Sequence, residues 1–223
     1  IPETISQSEM KSQQQGNSFQ SSVEGGKEIF EKWKVFSIDL NKDFWHIDFT
    51  DSRNGWIGSW YNDVFQIENG GEKWYSLSKS SNSNTILTNI TFINNLHGWK
   101  SLKKQESPDS SELTILKTED GGKNWTPQFS GKNIGLANLV FINENEGWAA
   151  GTRTVIRDIV HGEFFVLHTT DSGKNWVDVS EKLSKAVGKG QSNVSSIYDI
   201  YTSESGKAVI ITNENRFFNT SNG

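Results

Sequence analysis

The sequence contains no cysteine, one methionine and only three prolines in 223 residues. Without cysteine there is no disulfide framework, no thiolate metal site and no cysteine nucleophile. Basic residues are in deficit too, with 22 Lys and Arg against 27 Asp and Glu, a net charge of −5. A chain that binds phosphate backbones needs the opposite balance, so nucleic acid is not an expected partner. Long apolar runs are also missing: none approaches the roughly 18 residues that a membrane-spanning helix requires. Nor is there a helix-period stretch of useful length, and "VDVSEKLSKAV" at 177–187 is expected to form at most a short turn of helix in a loop. What the chain does have is 9 Trp, 13 Phe and 20 Gly at 33% hydrophobic content. Burial must then rely on aromatic and β-branched side chains, which points to an all-β fold.

Residues 1–27, rich in Ser, Gln, Glu and Gly, offer almost nothing to bury and read as a flexible N-terminal segment. The folded domain is expected over 28–223. The chain starts at Ile1 rather than methionine, and the expectation drawn from this is a mature secreted protein or lipoprotein whose leader has been removed, hence an extracytoplasmic location.

Two short patterns recur in strict alternation. The first joins an aromatic residue, a polar turn and Gly-Trp: "FTDSRNGW" at 49–56, "FINNLHGW" at 92–99 and "FINENEGW" at 141–148, with a weaker copy, "YTSESGKA" at 201–208, that puts Lys207 in the tryptophan position. The second is an octet: "IENGGEKW" at 67–74, "TEDGGKNW" at 118–125, "TTDSGKNW" at 169–176 and the beginning of a fourth, "TSNG", at 220–223. Alternating or aromatic-rich segments bounded by Gly, Asn and Asp flank each pattern, so each reads as a β-hairpin. Two hairpins per unit, repeated every forty to sixty residues, describe the four-stranded antiparallel blade of a β-propeller. Residues 30–38, with Trp33, look like a lone fourth strand, and 196–220 look like a blade without its fourth strand. Four blades closed by the N-terminal strand are therefore expected, with part of a larger propeller as the alternative.

The Ser/Thr-x-Asp-x-Gly-x-x-Trp octet resembles the Asp-box, or BNR repeat, and its Phe-x-Asn/Asp-x-x-x-Gly-Trp partner is similar to the photosystem II stability/assembly factor family of propellers. The resemblance covers residues about 30–223 and implies a non-catalytic protein-binding or assembly scaffold. It also implies that the octet is a structural turn built on Thr118, Asp120, Gly122 and Trp125, and again on Thr169, Asp171, Gly173 and Trp176. Turn physics agrees: a short carboxylate accepts backbone N–H groups, glycine takes positive φ and tryptophan covers the hairpin. The first octet carries Asn69 where Asp120 and Asp171 stand, a swap that a catalytic acid would not tolerate.

Asp-boxes also occur in sialidases, so a degenerate sialidase-like glycosidase and a carbohydrate-binding module are the alternatives. The four arginines, Arg53, Arg153, Arg157 and Arg216, come without the Arg-Ile-Pro motif of sialidases, and no enzymatic activity is expected. Histidines 46, 97, 161 and 168 lack metal-ligand spacing, and there is no phosphate-binding glycine loop, so neither metal nor cofactor is expected. The tryptophans of the first pattern, Trp56, Trp99 and Trp148, are expected between blades; Trp45 and Trp60 fall outside both patterns and are expected in core or rim packing, and if any aromatic is a ligand platform these two are the first to test. Variation in length collects in "KKQESPDSSE" at 103–112, "TRTVIRDIVHGE" at 152–163 and "KLSKAVGKGQSN" at 182–193, all expected as loops on one face. The expected partner surface there comprises Lys103, Lys104, Arg153, Arg157, Asp158 and His161, with Val155, Ile156 and Ile159 as apolar anchors. Another protein is the first candidate partner and a glycan the second.

Overall fold

The computed structural model describes residues 43–78, 84–156, 160–187, 196–203, 207–212 and 217–220. The N-terminal segment and the expected strand at 30–38 lie outside them. The described residues form four antiparallel sheets, each a simple up-and-down succession of strands. The first sheet holds β1 (Phe44–Phe49), β2 (Gly55–Ser59), β3 (Val64–Glu68) and β4 (Lys73–Ser78), and the second β5 (Thr85–Phe92), β6 (Gly98–Ser107), β7 (Ser110–Thr118) and β8 (Thr126–Lys132). The third holds β9 (Ile134–Phe141), β10 (Gly147–Ile156), β11 (Val160–Thr169) and β12 (Val177–Asp178), and the fourth β13 (Ile197–Thr202), β14 (Ala208–Thr212) and β15 (Phe217–Asn219). The sheets pack in chain order: β5 lies against β1 and β2, β9 against β5 and β6, and β13 against β9 and β10.

A three-residue clamp explains why successive sheets dock as they do. Phe92, closing β5, stacks on Trp56 of the first sheet at 3.7 Å and 7°; Phe141, closing β9, stacks on Trp99 of the second at 3.4 Å and 6°. Each ring also lies over the glycine paired with it across its own hairpin. A Cβ on Gly98 would sit 2.4 Å from Phe92 Cδ1, and one on Gly147 would sit 2.5 Å from Phe141 Cε1. Glycine is therefore required there because the ring fills the space a side chain would take. The indole N–H groups complete the joint, Trp56 donating to the Gly121 carbonyl at 3.0 Å and Trp99 to the Ser172 carbonyl at 3.2 Å, both in the octet turn of the following sheet. Burying each phenylalanine contributes about 2–3 kcal/mol and its stacking about 1 kcal/mol more.

Three details differ from the sequence reading. The fourth copy of the first pattern is displaced, by one residue at the aromatic position and by two at the tryptophan position. Ser203 N donates to Lys207 O just as Ile93 N donates to His97 O, and Thr202 pairs with Ala208 as Phe92 pairs with Gly98. Val209, not Lys207, occupies the tryptophan position. Tyr201 had matched the phenylalanine one residue early because the fourth sheet keeps neither the ring nor the glycine.

Secondly, the stretches expected as loops at 103–112 and 152–163 are mostly strand. β6 and β7 run to a two-residue turn at Pro108 and Asp109, and β10 and β11 pair from Gly147↔Thr169 to Ile156↔Val160. Backbone ladder bonds form regardless of how polar the side chains are, so the charged and polar run at 103–112 is strand on both sides of its turn, and at 152–163 Val155, Ile156 and Val160 are strand formers interrupted by charge.

Thirdly, the short turn of helix is an eight-residue helix, α1 (Ser180–Val187). The Asp178 carboxylate accepts from Ser180 N at 3.0 Å, and Glu181 pairs with Lys185 one turn on at 2.7 Å. Both support a helix start.

Gly147→Ala should lower unfolding free energy by about 1–3 kcal/mol through overpacking against Phe141. The double change Phe141→Thr with Gly147→Ala should remove that clash while losing the stack. Urea denaturation of the two variants, with coupling that departs from additivity, checks the clamp.

Candidate functional site

The ends of the sheets that carry the turns between second and third strands hold most of the residues singled out as a partner surface. Lys103 and Lys104 lie on β6, opposite Leu113 and Glu112, with Lys104 exposed. Asn133 ties this end of the second sheet to the third: its N–H donates to Ser111 O at 2.8 Å, its Oδ1 accepts from Ser111 N at 3.0 Å, and its carbonyl accepts from Thr154 N at 2.8 Å. Arg153, the neighbour of Thr154 on β10, is thus brought to the same end as the two lysines. Its guanidinium donates to Asp178 Oδ2 at 2.8 Å and lies 4.7 Å from the Phe165 ring centroid. Arg153 therefore fastens β10 to β12. Val155 pairs with His161 in the β10–β11 ladder. Arg157, Asp158 and Ile159 lie outside the described residues.

The first sheet contributes aromatics to this end. Trp45 falls at a register irregularity in β1, between the pairs Phe44↔Ser59 and His46↔Gly58. A bulge re-aims its side chain outward, and Trp45 is 62% exposed. Its ring meets that of Trp60 at 4.9 Å and 53°, and Trp60 is 37% exposed with Tyr61 exposed beside it. Trp60 is held by its backbone, whose N–H donates to Asp43 O at 3.2 Å and whose carbonyl accepts from Leu87 N of the second sheet at 3.1 Å. Tyr61 went unnoticed in the sequence; only its place beside Trp60 in "SWYND" could have marked it.

Lys100 was also missed. It is 3% exposed between the first and second sheets, its Nζ donating to Asn62 Oδ1 at 2.9 Å and lying 4.5 Å from the Trp125 ring centroid. Burial pushes its pKa down to about 8. The signal was available in the repeat, because the residue after the tryptophan is Ile57 in the first unit and Ala149 in the third.

At the opposite ends of the sheets lie the octets. Thr118 Oγ1 donates to Asp120 Oδ1 at 2.9 Å and accepts from Gly122 N at 2.9 Å; Asp120 further accepts from Asn124 N at 2.9 Å and Asn124 Nδ2 at 2.7 Å. Asp171 repeats this with Thr169 and Asn175, at 2.9, 2.8 and 2.6 Å. Gly122 and Gly173 adopt φ of 93° and 82°, as the turn reading expects. Burial raises the Asp120 pKa, but hydrogen bonds from Asn124 and Thr118 outweigh it and hold the carboxyl below its ordinary value. Asp171 is held low chiefly by Asn175. Both acids are ionised acceptors, each taking hydrogen bonds from the threonine and asparagine of its own turn.

Titratable groups elsewhere are engaged as well. Burial lowers the pKa of His46, whose Nε2 lies 3.1 Å from Leu87 O; His97 Nδ1 lies 3.0 Å from Glu144, and His168 Nε2 lies 3.2 Å from Glu146. Among the described residues no three His, Cys, Asp or Glu side chains gather as a metal site. Nor is any described helix long and apolar enough to cross a membrane.

Comparison with known proteins reveals a fold. Among solved structures the chain is similar to one described as YCF48 bound to D1 peptide, with a TM-score of 0.51 and 18% identity, covering 82% of this chain and 52% of that one. It is also similar to YCF48 from Cyanidioschyzon merolae, with a TM-score of 0.26 and 11% identity, covering 82% of this chain and 84% of that one. The chain spans about half the length of the first. No family model matches the chain, and no curated protein matches it. The first likeness shows a propeller-like arrangement of the four sheets.

Stability should rise with pH between about 8 and 10.5, because Lys100 is neutral there in the folded protein and still charged in the unfolded chain. Below about 8 both states carry the proton and the cost of burying it is fully felt. Lys100→Met should abolish that slope and leave a protein at least as stable at neutral pH, as measured by thermal unfolding across pH 7–10.5. Asp120→Ala should cost about 1 kcal/mol at neutral pH through loss of its turn acceptor. Because its folded pKa is lowered, that contribution is present above about pH 4 and fades as pH falls through the folded value, so wild type and variant should converge in acid.

Proposed function

We propose that this protein is a non-catalytic, protein-binding or assembly scaffold that captures its partner on the end of the sheets bearing Lys103, Lys104, Trp45, Trp60 and Tyr61. The exposed, backbone-held aromatic pair beside surface cations carries this reading. Rigid aromatics contribute contact area at low entropic cost, and flanking lysines select for acidic residues in the partner. The solved YCF48 structure with a bound D1 peptide supports a peptide or protein as ligand, as a fold likeness alone.

In the same reading the octets are Asp-boxes that hold hairpins and perform no chemistry. Their acids are engaged by the threonine and asparagine of their own turns. Arg53 lies in the turn between β1 and β2 while Arg153 sits at the opposite end of the sheets, an arrangement unlike an arginine triad. The four sheets are read as four blades, with residues 30–38 closing the last, in an extracytoplasmic protein. Arg157, Asp158 and His161 belong to the partner surface in this reading. Exposure of the Trp45–Trp60 pair favours glycan stacking as the second reading.

Lys103→Glu with Lys104→Glu, and separately Trp45→Ala with Trp60→Ala, should each reduce capture of a protein partner by the intact chain at least tenfold while leaving melting within about 0.5 kcal/mol. Retained capture by both variants overturns the assignment of this surface. Binding on a glycan array that is lost only with the tryptophans establishes the second reading, and turnover of a fluorogenic sialoside overturns the non-catalytic one.

A further inference from the structure

At the position after the tryptophan, three of the four sheets bury an aliphatic side chain: Ile57 in the first, Ala149 in the third and Ile210 in the fourth. The second sheet buries Lys100 there instead. The joint between the first and second sheets already has an apolar cluster in Trp56, Val64, Ile90 and Phe92, so an aliphatic residue would serve its packing. Burial pushes the Lys100 pKa down to about 8, and a cation in this place costs stability at neutral pH.

What the lysine adds is reach. Its Nζ leaves its own sheet to donate to Asn62 Oδ1 at 2.9 Å, in the turn at 59–63 that carries Trp60 and Tyr61, and it lies 4.5 Å from the Trp125 ring centroid. Within that turn Ser59 N donates to Asp63 O at 2.9 Å, Asn62 N to Ser59 O at 3.1 Å and Ser59 Oγ to Asp63 Oδ2 at 2.8 Å. These bonds fix the form of the turn but not its inclination to the second sheet. Two cross-sheet bonds do that, one on each side of Tyr61: Leu87 N onto the Trp60 carbonyl, and Lys100 Nζ onto Asn62. Asn62 stands at a φ of 68°, where glycine is the easier choice, and asparagine supplies the acceptor that glycine lacks.

We propose that Lys100 is a positioning residue for the aromatic partner surface, a buried cation that holds the turn at 59–63 at the angle that sets Trp60 against Trp45. The inference rests on the reading of Trp45, Trp60 and Tyr61 as that surface. It makes the surface a product of two sheets, shaped from beneath by a side chain too buried to meet a ligand.

Exciton-coupled circular dichroism of the full chain reads the geometry of two neighbouring indoles with no partner present, and the difference between wild type and Trp45→Phe isolates the couplet of this pair. Lys100→Met should lose most of that couplet while its thermal midpoint stays the same or rises. Asn62→Gly removes the acceptor instead, at a backbone angle that suits glycine, and should lose the couplet too; it decides the matter if Lys100→Met does not fold. Ile90→Val makes a cavity in the same joint but leaves both cross-sheet bonds in place, so it should lower the midpoint and keep the couplet. A couplet that survives in either folded variant, Lys100→Met or Asn62→Gly, overturns the proposal, as does a loss in Ile90→Val as large as theirs. Because no partner enters the measurement, its result stands apart from whether partner capture depends on Trp45 and Trp60.

Discussion

A flat aromatic ring trapped between a bare glycine and an indole is the contact on which the rest of the molecule depends. It explains why the recurring pattern is spaced as it is. The phenylalanine must end the first strand and the glycine must begin the second for the two to pair across the hairpin, and the tryptophan must come next to face the following sheet. One seven-residue interval thus encodes both a hairpin and the joint between sheets.

The octet turns are the counterpart of this contact. Each ties its own hairpin ends by putting a backbone N–H onto the neighbouring turn: Gly70 to Arg53, Gly121 to Leu96 and Ser172 to Asn145. The second and third octets also present the carbonyl that receives the indole of the preceding sheet. One end of each of the first three sheets is in this way tied by internal hydrogen bonds. The other end, with longer strands, the Asn133 clip and the Trp45–Trp60 pair, has chemistry left over for a partner.

Most of the fold was legible because its information is local and repeated. The strand order, the pairing of hairpins and the burial of Trp56, Trp99 and Trp148 all follow from intervals of fewer than ten residues. What escaped was either polar or degenerate. β6 carries Lys103 through Ser107 with no apolar alternation, and its turn hides in "SPDS", so a strand resembled a loop. The fourth unit lost the ring and the glycine together, which left Tyr201 to attract the wrong alignment. The candidate site was legible in its cations and its two unassigned tryptophans. That Arg153 is spoken for by Asp178, and that Lys100 lies between sheets, depends on contacts distant in sequence.

The pairing of ring with glycine also constrains how such a unit can diverge. Starting from Phe and Gly, a change to Thr alone leaves a gap and forfeits the stack, about 3 kcal/mol or more, whereas a change to Ala alone drives a methyl into an aromatic face, about 1–3 kcal/mol. Neither residue can be exchanged without loss while the other stays, so the two positions behave as a single unit of packing, and Thr202 and Ala208 depart from the pattern together.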